Sequence, residues 1–366
     1  MSEIQAVKPV AEDINHKIRK LDSVQCCRAI AFLMVLMLHR TPSWDLMYIF
    51  QYGRYGVMMF FIISGFIITY LHLNGRVEVF NKFILKRVFR IYPVYLFSAF
   101  LSAAIIFCIY ISEYSGWKPF PEVSYIGWVV SSTLLPVVDK YLINLVAWSL
   151  VFEMWYYIFF GLLMAVLKDK FIIGVSFYSF MIIIVQVFLP EIVSNREYFI
   201  NFNVLFSSLN WLFVIGSCIA YLMFDNECRY KYLCILTLLA CYVSQITMGY
   251  HATLEEISSR YAEFILLTVS IVVVVGMIWL EVKAQIKPPK FLVGLGDMSY
   301  TLYLFHYIWV FLFGVIFSKV APGQYHGGVV EVVLFYITLI CICRFIYLTF
   351  EIPSNKYLRT RFLKDL

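Results

Sequence analysis

The sequence is poor in charge. Of 366 residues only 14% are Asp, Glu, Lys or Arg, while 62% are hydrophobic. Soluble domains carry about 25% charged residues. A chain of this size folded in water hides only about three quarters of its surface, so the apolar surplus must face lipid. Paired cysteine motifs are also missing. The nine cysteines are odd in number and contain no CxxC pair, which argues against a disulfide framework or a zinc site. No small-residue cleavage site follows the first apolar run. That run is therefore expected to be a retained anchor rather than a removed signal peptide. No nucleic-acid motif is present, so the net charge of +6 is read as membrane topology and no nucleic-acid partner is expected. Alternating β patterns are lacking too, which speaks against a lipid-facing barrel. No solenoid repeat, low-complexity tract or appended soluble domain is expected.

What is present is a series of long apolar runs. A spanning helix needs roughly 20 mostly apolar residues. About ten runs qualify: 24–42, 53–73, 83–112, 143–167, 170–189, 204–224, 231–249, 261–281, 299–318 and 328–351. The expected fold class is an all-α integral membrane protein, a polytopic bundle of about ten transmembrane helices. With those at run ends counted to the adjoining loop, Lys and Arg divide 20 to 7 between the two sides, leaving Arg28 and Arg344 inside spans. That asymmetry places both the N and C termini in the cytoplasm. The division expected is a polar cytoplasmic leader (1–22), a transmembrane domain (23–351) and a cytoplasmic basic tail (352–366). The longest outer loop, 113–142, carries Pro119, Pro121 and Pro136. It is expected to fold over the outer face or re-enter under protein cover.

Ionisable residues inside a membrane are expensive and mark candidate sites. Arg28 and His39 share the first run. Eleven steps of a helix leave them about 20° apart on one face and about 16 Å apart along the axis. An imidazole there can act as acid or base near neutral pH; a snorkelling Arg and a helix-bonded His are the plain alternative. Glu153 lies deep in the fourth run and needs a partner, Arg28 or His39, or a structural ion pair. Arg87 and Arg90, three apart at the start of the third run, share a face. Two guanidiniums suit phosphate or pyrophosphate, or serve as ordinary positive-inside anchors. Ser64-Gly65 in mid-run permits close helix approach or a contact with substrate. In Leu295–His306, Ser299 is a candidate cap for the ninth span, and His306 falls about two turns inside.

These segments together carry a resemblance. Leu21-Asp22 with Arg28 and His39 come first, then Gly53–Phe66 ending in Ser-Gly-Phe. Arg87-x-x-Arg90 with Ile91-Tyr92-Pro93 follows, then Trp148-Ser149-Leu150-x-x-Glu153 and the Leu295–His306 segment. In that order they resemble the acyltransferase 3 family of integral membrane acyltransferases, over nearly the whole chain. The resemblance implies O-acyl transfer, commonly acetyl from acetyl-CoA, onto a hydroxyl of a glycan such as O-antigen or exopolysaccharide, by a stand-alone member. It implies a multi-pass protein of the bacterial inner membrane with no permanently bound cofactor and no metal. Acyl-CoA is the donor substrate and a glycan or lipid-linked glycan the acceptor. By this likeness Arg87 and Arg90 bind the donor phosphates and Arg28 holds or polarises the donor. His39 is general base or transient acyl carrier, and Glu153 orients its imidazole. Ser64, Trp148, Tyr303 and His306 line the passage. Ala29 and Met58 depart from the family pattern, which often has Gly and a polar residue there. A transporter or flippase of a lipid-linked sugar is the competing class, sharing the spans but needing no coenzyme A site.

Overall fold

The computed structural model describes residues 20–39, 53, 55–74, 79–111, 130–136, 143–194, 201–225, 227, 229–248, 254–320 and 328–363. Among the described residues there is no β-strand. The principal helices are α1 (Asp22–His39), α2 (Tyr55–Leu73), α3 (Phe80–Ile111), α4 (Trp148–Leu167), α5 (Phe171–Phe188) and α6 (Asn210–Phe224). They continue with α7 (Lys231–Met248), α8 (Leu254–Val282), α9 (Lys290–Asp297), α10 (Ser299–Val320), α11 (Val329–Ile346) and α12 (Ile352–Phe362). Each apolar run of the sequence holds one of these helices. Helix is the economical choice in lipid, where every backbone polar group must be satisfied within its own segment.

Among the described residues, eight stretches are long and apolar enough to cross a bilayer. One of them, Leu145–Phe188, is 44 residues long and contains both α4 and α5. A shorter apolar helix, Lys231–Gln245, lies within α7. The chain is an all-α polytopic membrane protein. Its outer helices confirm the reason for the apolar surplus. Phe177, Phe180 and Phe188 of α5, Leu236 and Leu239 of α7, Val272 of α8, and Val330, Ile337 and Phe345 of α11 are exposed.

Close backbone approach holds the inner helices. A Cβ built on Gly65 of α2 would sit 2.0 Å from the Phe213 carbonyl oxygen of α6. One on Gly216 of α6 would sit 2.0 Å from the Ile62 carbonyl oxygen of α2. Small residues at facing positions are how helices associate without a hydrophobic drive between them. The short helix α9 packs on α1 in the same way, with Gly296 against the Gln25 carbonyl. The start of α1 is closed by a side chain from elsewhere in the chain. Glu281, the penultimate residue of α8, accepts from the Ser23 amide at 2.7 Å and the Asp22 amide at 3.2 Å. A carboxylate there satisfies orphan helix donors and complements the helix dipole. Lys20 pairs with Asp297 at 2.9 Å beside it.

One expectation meets the structure differently. Ser299 was a candidate cap, but it is the first residue of α10, and its buried hydroxyl makes no hydrogen bond. The carbonyl of Met298 receives the Leu302 amide instead. The segment from 352 is helix α12, entered through a π turn at Tyr347–Glu351; Phe362 packs on Phe89 of α3 with ring centroids 5.8 Å apart. Of the outer loop, only residues 130–136 are described; Tyr92 and Tyr95 of α3 donate to the carbonyls of Thr133 and Ser131. The rest of that loop, and the leader as far as residue 19, lie outside the described residues.

Candidate active site

Helices α1, α2, α3, α4 and α10 converge on one cavity. It holds about 650 Å³ of space free of protein atoms, its open mouth included. Arg28, Ser64, Arg87, Arg90, Glu153 and Tyr157 supply its polar wall. Val57, Phe60, Phe61, Ile67 and Leu150 supply the apolar wall, and Ser299, Tyr300 and Tyr303 of α10 close it. The sequence placed six of these residues near chemistry: Arg28, Ser64, Arg87, Arg90, Glu153 and Tyr303. The fold brings all six to one cavity from five helices.

Its charge is unbalanced. Three guanidiniums face one carboxylate among the lining residues. Among the described residues neither Arg28 nor Arg90 has a carboxylate oxygen within 4.0 Å. Arg28 is buried and hydrogen-bonds Gln25 one turn earlier, at 3.5 Å. It lies within the electrostatic field of Arg90, Glu153 and Glu351. The guanidinium of Arg87 lies over two rings, 5.2 Å from the Phe83 centroid and 5.0 Å from that of Tyr157. Such stacking favours a guanidinium and fixes its plane. Buried positive charge without a close carboxylate is costly, and an anionic ligand is what would offset it.

Glu153 is held by hydroxyls. Ser64 of α2 donates to its Oε1 at 2.9 Å, and Tyr157, one turn on in α4, donates to the same oxygen. On the opposite side, Ser149 and Tyr303 share a hydrogen bond of 2.8 Å, and Tyr300 donates to the Ile91 carbonyl of α3 at 2.7 Å. These bonds tie α2, α4 and α10 around the cavity.

His39 corrects part of the expected constellation. It is the last residue of α1 and half-buried. Glu153 does not bond it; the carboxylate is committed to Ser64 and Tyr157. The physical reason is the rise of α1. Arg28 meets the cavity, and His39 lies about 16 Å further along the axis, out of reach of a carboxylate at Arg28's level. The neighbour of His39 is His306 of α10, with ring centroids 5.1 Å apart, and Tyr307 meets it edge-on at 5.7 Å. His306 is wholly buried and does not line the cavity. It touches Tyr303, which does, at 5.7 Å. Trp148 also lies outside the lining; it is 38% exposed and packs edge-on against Phe61 and Phe152.

Sequence reasoning missed Tyr157, Ser299 and Glu351. Tyr157 had a signal, because it falls four residues after Glu153 and therefore on the same face. Glu351 sits in the π turn, is buried, accepts from Thr301, and lies within the field of Arg28 and Arg90. The rule that picked out Glu153 applies to it equally, but its place at the end of an apolar run hid it. Ser299, read from sequence as a cap, had no signal for a place in the cavity wall, which follows from the α9–α10 junction. Among the described residues no three metal-ligating side chains are gathered to hold an ion.

A family model described as an acyltransferase domain matches residues 21–348. The chain belongs to the acyltransferase 3 family. It is also 28% identical over 281 residues to ORF330 of Acidianus two-tailed virus, named as a proposed acetyltransferase, covering 73% of this chain and 76% of that one. No solved structure matches the chain. The cavity and the histidine pair thus belong to a membrane acyltransferase.

In this acyltransferase Glu153 has a structural duty that can be separated from its charge. Glu153→Leu leaves the hydroxyls of Ser64 and Tyr157 without their acceptor, at about 1–3 kcal/mol each. Thermal melting in detergent is expected to fall clearly for Glu153→Leu. Glu153→Gln keeps an oxygen acceptor and should melt close to wild type. Equal losses for both would mean that the charge itself holds the helices.

Proposed function

We propose that this protein is a membrane O-acyltransferase that moves an acyl group, chiefly acetyl, from cytoplasmic acyl-CoA to a hydroxyl of a cell-envelope or exported glycan. O-antigen and exopolysaccharide are the expected kinds of acceptor, carried free or on a lipid. The observation that carries the reading is the cavity at the start of α3, where Arg28, Arg87 and Arg90 outnumber Glu153. The Lys and Arg asymmetry supports a cytoplasmic position for that end and for both termini. The inner membrane of a bacterium is the expected location.

The donor's phosphates sit on Arg87 and Arg90, in the planar, bidentate manner of guanidiniums. Its flexible arm passes Phe60 and Tyr303 towards His39, and Arg28 polarises the donor on the way. His39 takes the proton of the acceptor hydroxyl as the oxygen attacks the thioester carbonyl carbon. The C–O bond forms, the tetrahedral intermediate collapses, and the C–S bond breaks. The departing thiolate recovers the proton from the imidazolium, giving ester and free thiol.

Acetyl-CoA binding and turnover by the purified, detergent-solubilised protein test this. Each half-exposed Arg–phosphate contact is worth about 1 kcal/mol, so Arg87→Ala/Arg90→Ala should weaken binding about 30-fold. If no acyl-CoA binds, and proteoliposomes instead move a lipid-linked sugar, the protein is a flippase and the proposal is wrong.

A further inference from the structure

The surroundings of His306 fix its tautomer. Its Nδ1 lies 2.6 Å from the Tyr303 carbonyl oxygen. A carbonyl only accepts, so Nδ1 carries the ring proton. In the neutral ring Nε2 is then a bare lone pair. His306 is 0% exposed, and Nε2 has no hydrogen-bond partner. A buried acceptor left unsatisfied costs about 1–3 kcal/mol.

The groups around that ring narrow the choice of donor. Phe32 meets it edge-on at 6.1 Å and carries no polar hydrogen. The Tyr303 hydroxyl is engaged with Ser149 and the Val146 carbonyl. Among the described residues in ring contact with His306, that leaves His39, its ring centroid 5.1 Å away and its plane tilted by 46°. His39 is half-buried at the end of α1. Catalytic hydrogen bonds are often long without substrate and tighten in the complex.

We propose that His306 is the positioning residue for His39. Its Nε2 accepts the ring N–H of His39, and this leaves the other nitrogen of His39 bare and aimed at the acceptor hydroxyl. The inference rests on His39 being the base, and it gives His306 the orienting duty that a carboxylate has in hydrolytic triads. A neutral imidazole sets the tautomer without bringing a negative charge. During transfer the hydroxyl proton moves to the bare nitrogen of His39, and later to the departing thiolate. His306 keeps its own proton on Nδ1 throughout.

The test compares His306→Phe, His306→Asn and His306→Gln with wild type and His39→Ala, using acetyl-CoA and the acceptor glycan. His306→Phe keeps a planar ring and removes both nitrogens. It should lower kcat about 100-fold, within the range of general-base effects, and leave KM for acetyl-CoA within about twofold. His306→Asn can still donate to the Tyr303 carbonyl but offers no acceptor at the Nε2 position. It should fall as far, and it decides the matter should His306→Phe not fold. His306→Gln can present its oxygen where Nε2 lies, and should regain about tenfold of the loss. If the Phe and Asn variants keep kcat within about threefold while His39→Ala is inactive, this inference is wrong and the base assignment stands. An active His39→Ala overturns the base assignment, and the positioning role with it.

Discussion

Replacing His39 with alanine is expected to lower acyl transfer about 1000-fold while acetyl-CoA binds within about twofold of wild type. The size comes from the usual worth of a positioned base, about 10²- to 10⁴-fold. The separation of the two effects comes from the geometry. The arginines line the cavity, and His39 does not. It stands about 16 Å along α1 from Arg28, beyond Tyr303, so removing its side chain leaves the donor's phosphate contacts alone. Binding and single-turnover transfer, measured on one preparation, check both halves. Transfer within tenfold of wild type would remove His39 from the chemistry. If His39 carries the acyl group, wild type should show a burst of free thiol without acceptor, and His39→Ala should show none.

The largest structural effect is expected at Gly65. Its Cα faces the Phe213 carbonyl so closely that an added Cβ would lie 2.0 Å away. The obstacle is backbone, which cannot rotate aside as a side chain does. The reciprocal contact between Gly216 and the Ile62 carbonyl means that both helices would have to separate. Overpacking a fitted core costs about 1–3 kcal/mol, sometimes more. Gly65→Ala should therefore melt well below wild type, and Gly65→Leu should not be recovered as a monodisperse folded protein. Residual folded Gly65→Ala should also turn over slowly, because Ser64, the next residue, holds Glu153. Gly276 of α8 is the control: nothing lies within 4 Å of its added Cβ. Gly276→Ala should be neutral, or gain up to about 1 kcal/mol from helix propensity. A Gly65→Leu protein that folds and melts like wild type would remove the close α2–α6 contact from the account of stability.

Much of the cavity was legible because burying charge in lipid is expensive and leaves few positions to consider. Arg28, Arg87, Arg90 and Glu153 stood out on that ground alone. The small-residue signal at Ser64-Gly65 was legible too, though its two halves do different things: Gly65 admits the neighbouring helix and Ser64 holds the carboxylate. What sequence spacing could not supply was partnership. Glu153 and His39 are both chemistry-bearing residues in apolar runs, and pairing them was reasonable. Helical rise sets them at different levels, and Glu153 finds Ser64 and Tyr157 instead.

The sequence by itself determined that this chain is a helical membrane protein, because 62% hydrophobic residues in 20-residue runs have no other way to satisfy their backbone in lipid. It also determined the family, through short motifs whose order survives without knowledge of the fold. Only the tertiary structure decided which side chains meet. Arg28 lies within the electrostatic field of Arg90 and of Glu351 from the far end of the chain, Glu281 caps a helix some 260 residues away in sequence, and His39 lies beside His306. Those contacts are set by how the helices cross and by where glycines let backbones touch. Neither is written in the apolar period of any one helix.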